Sequence, residues 1–417
     1  VSGPRTFFVN RFFHPDESAT GQLLSDLAWG LADAGIDVHI VCCRHRYEGA
    51  GEPLAAHERI RGVTIHRVWT TRFGRGTLGG RALDYLTFYV SCFVMLLHST
   101  RRGDILVAKT DPPLIGLVVA AAAWLKGGVL VNWLQDVFPE VATRLGTVAL
   151  PGWADRLLCA LRDASWRAAH MNVVIGARML EYLVVRGISA GRIRVVENWA
   201  LTAGTPPSRP QDSALRTELG LDAEFIVGYS GNMGRAHEYA VFMQAARALV
   251  EMPAIQFVFI GGGVHMRALR ALAVDAPNMR FLGYRPREAL ADSLAAADVH
   301  LVSLRPELEG LIVPSKFYGI LAAGRPVIFV GDPQGELARV IQDSGAGVVV
   351  RAGDGAALAA AIVDLHRCAE RREAMGRNAR ELLGGRFDLP RAIANWRAVI
   401  AELPGSGAAA ARNGVRG

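Results

Sequence analysis

DILVAKTDPPLIGLVVAAAAWLKGGVLVNWLQD, residues 104–136, reads as strand, helix, strand. DILVAK (104–109) and VLVNWLQD (129–136) are apolar runs of strand length, and the stretch near 114–125 suits a helix. Strands joined by a helix of this length imply parallel pairing. The unit repeats outward in both directions. Upstream lie the strand TFFVN (6–10), the amphipathic helix GQLLSDLAWGLADAG (21–35), the strands DVHIVCC (37–43) and TIHRVW (64–69), and an apolar helix over 83–99. Downstream come a helix around 153–169, the strand MNVVIG (171–176), a helix near 177–186 and the strand IRVVENW (193–199). The pattern predicts a parallel sheet covered on both faces.

The punctuation changes at TAGTPPSRPQDS (202–213), whose Pro, Gly, Ser and Thr mark a linker. The alternation then restarts at FIVGYSG (225–231) and runs through QFVFIGGG (256–263), MRFLGY (279–284), DVHLVS (298–303), PVIFVG (326–331) and AGVVV (346–350). A helix such as EYAVFMQAARALVE (238–251) comes after each strand. Two doubly wound α/β domains are therefore predicted, over 1–201 and 214–388. A helix over 389–403 is free to pack back on the first domain, and 404–417 reads as a frayed tail.

A chain of 417 residues with 51% hydrophobic and 20% charged residues suits two such cores and excludes a disordered protein. Five cysteines, Cys42, Cys43, Cys92, Cys159 and Cys368, form no CxxC pair, which argues against a disulfide framework and a zinc site and fits a reducing cytosol. VSGPRTFFVN shows no charged leader ahead of an apolar run, so no signal peptide is expected. The net charge of +7 is uneven: residues 1–200 hold 22 Lys and Arg against 17 Asp and Glu. Arg59, Arg61, Arg67, Arg72, Arg75 and Arg81 succeed one another without an acidic residue, and the uncharged YLTFYVSCFVMLLHST (85–100) comes next. That stretch is short of the roughly 20 residues needed to cross a bilayer. A buried or interfacial helix is expected, with the arginines facing an anionic membrane surface or a lipid diphosphate; the alternative is a solvated basic face beside a core helix. The basic residues are not interleaved with any nucleic-acid-binding motif, so no nucleic-acid partner is expected.

Four local patterns carry chemistry. In FFHPDESATGQLL a strand feeds a loop ending at Thr20-Gly21, where a helix is expected to begin; glycine at a helix start lets a phosphate approach backbone amides. The alternative is a strand-to-helix turn that needs glycine for its own sake. NWLQDVFPE (132–140) places Gln135 and Asp136 at a strand's carboxyl end. Glutamine can bond a hydroxyl but cannot take its proton, whereas Asp136 is either a hydroxyl partner or an N-cap. YSGNMGRAHEY (229–239) offers Gly231, Asn232, Arg235 and His237 after the first strand of the second domain, with His237 a cation when protonated or merely packed near the turn. GLIVPSKFYGILAAGRPVIFVG (310–331) sets Ser315 as an N-cap and Lys316 in a first helical turn.

In this order and spacing the four patterns resemble GT-B glycosyltransferases of family 4, and more narrowly the branch that builds exopolysaccharide and O-antigen units of the colanic-acid type. The resemblance spans roughly residues 5–400. It implies two Rossmann-like domains facing a central cleft, the first binding acceptor and the second nucleotide sugar. It implies donor diphosphate contacts at Thr20, Gly21, Gly231, Asn232, Arg235, His237, Ser315 and Lys316. The loops carrying Gly262, Gly263, Tyr284 and Arg285 would frame the base. The chain departs from the family where a His-Asp pair becomes Gln135-Asp136, where an arginine and a lysine become Asn232 and His237, and where two glutamates become Leu311 and Gly319.

The resemblance further implies transfer with retention from a nucleotide sugar to a polyprenyl-diphosphate-linked or saccharide acceptor; no paired Asp cluster or DxD motif appears, so no metal and no cofactor are expected. The expected location is cytoplasmic, peripheral to the inner face of the plasma membrane. The departing diphosphate gains charge, which Lys316 and Arg235 could stabilise in place of a metal ion. Rival readings are a nucleotide-sugar epimerase of similar shape and a catalytically silent binding protein. A dehydrogenase is disfavoured because GGGVHMRA lacks the dinucleotide fingerprint spacing.

Overall fold

A computed structural model describes all residues except 1–2, 17, 47–51, 75–77, 149, 201–208, 223 and 406–417. Arg75, most of the expected linker and nearly all of the expected tail lie outside the described residues. The chain divides into two compact units, Val1–Glu197 with Leu389–Gly417, and Asn198–Asp388.

The first unit runs β1 (Thr6–Val9), α1 (Ala19–Asp33), β2 (Val38–Cys43), β3 (His57–Ile60), β4 (Val63–Val68), α2 (Leu78–Ser99) and β5 (Ile105–Lys109). It continues through α3 (Ile115–Lys126), β6 (Val129–Trp133), α4 (Glu140–Arg144), α5 (Gly152–Ala168), β7 (Met171–Val174), α6 (Ala177–Val185) and β8 (Ile193–Val195). The strands form one sheet in the order β3-β4-β2-β1-β5-β6-β7-β8, parallel apart from the antiparallel β3–β4 pair. Strand β3, HERI, was not expected: its residues are mostly exposed and polar and give no apolar run.

The second unit holds α7 (Ala214–Leu219), β9 (Phe225–Ser230), α8 (Ala240–Ala248), β10 (Ile255–Ile260), α9 (Val264–Leu272), β11 (Met279–Leu282), α10 (Leu290–Ala295) and β12 (Val299–Ser303). Then come α11 (Lys316–Ala322), β13 (Val327–Gly331), α12 (Glu336–Ser344), β14 (Gly347–Arg351), α13 (Gly355–Arg367) and α14 (Ala369–Arg386). Its sheet, β11-β10-β9-β12-β13-β14, is parallel throughout. The last helix, α15 (Leu389–Glu402), belongs to the first unit. Trp396 meets Phe8 and Trp133 edge-on at 5.6 and 5.0 Å between ring centroids. A Cβ at Gly30 of α1 would fall 2.1 Å from Ile393 Cδ1, so a larger residue there would force the Ile393 side chain or the helix to shift.

Among its parallel strands each sheet reverses its order once, beside β1 in the first unit and beside β9 in the second. Ligands in such sheets bind outside the carboxyl ends of the strands at the reversal. Both candidate sites lie at those edges.

Candidate functional site

In the second unit the loops after β9 and β10 are stitched together by backbone bonds: Met233 N–H donates to Gly262 O at 2.7 Å, and His265 N–H to Met233 O at 3.0 Å. Gly261 and Gly263 have φ of +123° and +116°, and a Cβ would fall 2.3 Å from Gly231 O and 2.5 Å from Asn232 Oδ1 respectively. No side chain fits either position. This packing brings Gly231, Asn232, Gly262, Gly263 and Tyr284 together, with the Tyr284 ring against Gly262.

Beneath these loops lies Lys316, at the first position of α11. Its Nζ donates to His237 Nε2 at 3.0 Å and lies 5.2 Å from the Tyr229 ring centroid. On the other side of the imidazole, Nδ1–H donates to Ser303 O at 2.7 Å, since a carbonyl can only accept. That bond fixes the tautomer and leaves the Nε2 lone pair for the lysine. Burial, and then the Lys316 charge, pull the His237 pKa down to about 3. His237 is therefore neutral, which corrects the expectation that it could serve as a cation. Burial lowers the Lys316 pKa to about 7, so its charge is poised near neutral pH.

Ser315 occupies the N-cap position but makes no side-chain cap; its backbone is helical (φ −64°, ψ −21°) rather than extended, which corrects the capping role read from sequence. Arg235 is exposed and makes no ion pair among the described residues. Arg285 forms a two-pronged pair with Glu218 at 3.0 and 2.9 Å. Leu311 is fully buried. The nearby carboxylate Glu309, which sequence reasoning missed, instead accepts from Glu336 N–H at 3.1 Å.

In the first unit, Gln135 and Asp136 lie just beyond the last residue of β6. Asp136 faces a cavity of about 700 Å³ that Thr20, Arg11, Arg46, Arg72, Arg81 and Asp111 also line. Its surface is open to the cavity while protein crowds its carboxyl. That crowding, with the Asp111 charge and against a Thr110 hydrogen bond, pushes the pKa up to about 6. Glu140 holds the loop below, accepting from Arg162 and from Tyr182 Oη. Buried Asp84 sets the cavity's upper loop, accepting from Thr71 Oγ1 at 2.8 Å and from the Phe73 and Gly74 amides at 2.9 and 3.1 Å.

Helix α1 begins at Ala19, two residues before the expected start. Ser18 caps it, its hydroxyl accepting from Gly21 N–H at 3.3 Å. That amide is thus taken up by the helix cap. Thr20 O accepts instead from Lys109 Nζ at 2.7 Å, and the lysine lies 3.9 Å from the Trp133 ring centroid. Lys109 is buried, and desolvation holds its pKa well below the usual lysine range. A charged residue closing the otherwise apolar strand 105–109 was the signal that sequence reasoning passed over.

The expected basic run separates in the structure. Arg67 is buried on Glu58 and the carbonyls of Ala55 and His14, and Arg61 pairs with Asp33. Among the described residues of the run, only Arg72 and Arg81 reach the cavity, where Arg11 and Arg46 join them. Among the described residues no three His, Cys, Asp or Glu side chains gather so as to hold a metal ion.

Residues 19–199 match the family model described as glycosyl transferase 4-like domain, and residues 224–368 match that described as glycosyl transferases group 1. The chain is 30% identical over 275 residues to WbjE of Pseudomonas aeruginosa, named as a probable glycosyltransferase, covering 65% of this chain and 68% of that one. It is 26% identical over 344 residues to WcaI of Escherichia coli K12, named for glycosyl transfer in colanic acid biosynthesis, covering 79% and 84%. Among solved structures, Anabaena HepE in complex with UDP and glucose superposes with a TM-score of 0.70 at 17% identity, covering 96% of this chain and all of that one. That last likeness concerns the fold.

Proposed function

Since the chain belongs to the group 1, 4-like glycosyltransferases and acts in polysaccharide biosynthesis, we propose that it transfers a sugar, with retention, from a nucleotide-sugar donor to a lipid-linked or saccharide acceptor. The donor's diphosphate lies on the Lys316 ammonium and the amides of the glycine-stitched loops. The acceptor occupies the arginine-lined cavity of the first unit. The reaction takes place at the inner face of the plasma membrane, where cytoplasmic nucleotide sugar meets membrane-bound acceptor.

The observation that carries this reading is the Lys316–His237–Ser303 chain at the carboxyl ends of β9 and β12. A lysine poised near pH 7 and aimed by a neutral imidazole gains its full charge when a diphosphate arrives, because an adjacent anion raises its pKa. As the bond between the anomeric carbon and the diphosphate stretches, negative charge grows on the leaving oxygen and Lys316 stabilises it. The acceptor oxygen bonds to the anomeric carbon on the same face, and its proton passes to the departing diphosphate. Gln135 cannot take that proton, and Asp136 orients the acceptor hydroxyl. Arg72, Arg81, Arg11 and Arg46 suit an acceptor that is itself a diphosphate.

The test is incubation of the full chain with a panel of nucleotide sugars and polyprenyl-diphosphate acceptors, chelator present, with products identified by mass spectrometry. Glycosylated acceptor is expected without added metal. Activity that chelator abolishes and Mg²⁺ or Mn²⁺ restores would replace Lys316 with a metal as the charge stabiliser. Turnover of donor to an epimer without acceptor would favour the epimerase reading.

A further inference from the structure

Helix α5 is amphipathic in the reverse of the usual sense. Its buried face carries Arg162 and Asp163, paired with each other at 2.9 Å, together with Ser165 and Trp166. Its exposed face carries Trp153, Leu157 and Leu161, one helical turn apart, with Trp153 69% exposed. Helix α2 shows the same excess of apolar surface. Asp84, Phe88, Cys92 and Leu96 are buried, while Leu83, Leu86, Val90 and Val94 form an uncovered stripe on another face. At 22 residues the helix is about 33 Å long. It is apolar and long enough to pass for a membrane-spanning segment, yet one face packs into this unit's core. Between the two lies α3, packed against both, with Trp124 82% exposed. Single exposed leucines are ordinary, but apolar stripes on two helices with an exposed tryptophan on the helix between them mark an interaction surface.

The charges say what covers it. Acidic residues on these helices are buried (Asp84, Asp163) or half-buried (Asp155), whereas Arg156 is exposed on α5. Arg101 and Arg102 are exposed at the end of α2. A second copy of the chain would bring like charges together, but an anionic bilayer is complementary. Tryptophans beside arginines on an apolar face suit the membrane interface. Arg81 and Tyr85, from the first turns of α2, also line the basic cavity, so a lipid diphosphate held there has an apolar stripe beside it for its chain.

We propose that the outer faces of α2, α3 and α5 together form the surface by which this unit lies on an anionic bilayer, anchored by Trp124 and Trp153. This deepens, and rests on, the reading of the acceptor as membrane-bound. It moves the contact away from Arg59, Arg61 and Arg67 and onto α2, which carries Arg81, and onto α3 and α5, which lie outside the basic run.

The test uses the full chain and vesicles of phosphatidylcholine with about a third phosphatidylglycerol, whose charge attracts basic protein surfaces. Binding that salt weakens is expected, with tryptophan fluorescence quenched by brominated acyl chains. Trp124→Phe/Trp153→Phe should still bind but lose much of the quenching. Trp124→Ser/Trp153→Ser should bind about tenfold more weakly with an unchanged Tm. Absence of vesicle binding at low salt, or equal binding by the serine variant, would overturn the proposal. So would a dimer in light scattering that the serine variant dissolves, which would assign the face to a second copy. UDP and GDP binding is measured on the same samples. Vesicle binding without nucleotide binding would leave the face standing and remove the donor reading, and the reverse would remove the face alone.

Discussion

Replacing Lys316 by methionine keeps the aliphatic stem over Tyr229 and removes only the amine, together with its bond to His237. An electrostatic contact of this kind with a leaving group supplies about 2–4 kcal/mol in the transition state, hence a loss of roughly 30- to 1000-fold in kcat/KM. The pH dependence sharpens the expectation. With a pKa of about 7 in the free protein, Lys316 is charged below neutrality and increasingly neutral above it. A bound diphosphate raises that pKa, so donor binding takes up a proton above pH 7. Affinity should then be highest below pH 7 and fall by up to about tenfold per pH unit above it, until the raised pKa of the complex is reached. Lys316→Met should bind weakly with a flat profile over the same range. Stability moves the other way. A lysine whose folded pKa lies below its unfolded value makes the fold least stable at and below the folded pKa, and this cost is relieved as pH rises toward the unfolded pKa. The Tm of wild type should therefore climb from pH 6.5 to 9 more than that of Lys316→Met, and the variant should melt no lower at pH 6.5. Nucleotide titrations by calorimetry in two buffers of different ionisation enthalpy, with kcat/KM and melting across pH, measure all of this. Wild-type kinetics in Lys316→Met, or a donor affinity that does not change between pH 7 and 8.5, would refute the reasoning.

Three other perturbations bear on the same sites. His237→Lys places a second ammonium beside Lys316 and should reduce donor affinity at pH 7 while lowering the Lys316 pKa further, read as a shift of the affinity profile to lower pH; improved binding would restore the cationic reading of this position. Asp136→Asn should lower kcat by at least about tenfold with little change in donor KM and should remove any acid limb near pH 6, because its carboxyl titrates at about 6. An unchanged pH profile would take Asp136 out of the reaction. Lys109→Met leaves the Thr20 carbonyl without its buried donor, costing about 1–3 kcal/mol for that group, offset in part by removing a buried amine. A raised acceptor KM with an intact donor KM is expected, and unchanged kinetics would make Lys109 a packing residue only.

The architecture was legible because apolar strands alternate with helices at regular spacing, and the restart at Phe225 separates the second sheet from the first. Strand β3 escaped because HERI is exposed and polar, and pairing with β4 rather than burial makes it a strand. The site was legible in part. Glycines 231, 262 and 263 converge with Asn232, His237 and Lys316 at one sheet edge. Protonation was not legible, since the state of His237 depends on Ser303, 66 residues away, and on a lysine 79 residues away. The same limit hid Lys109, whose partner Thr20 is 89 residues distant. The arginines between 59 and 81 look continuous in sequence, but Arg67 lies on a strand that turns it inward while Arg72 and Arg81 flank a cavity. Linear charge says how many arginines there are, and strand register says which of them meet solvent.

The measurement that bears most directly on the proposed chemistry is the anomeric configuration of the product, read from the coupling constants of its anomeric carbon and proton with an isotopically labelled donor. Departure of the diphosphate and entry of the acceptor on one face, with Lys316 stabilising the leaving group and no base from Gln135, predicts a product with the donor's configuration. A product of inverted configuration would contradict that account and make Asp136, with its raised pKa, the base that takes the acceptor's proton.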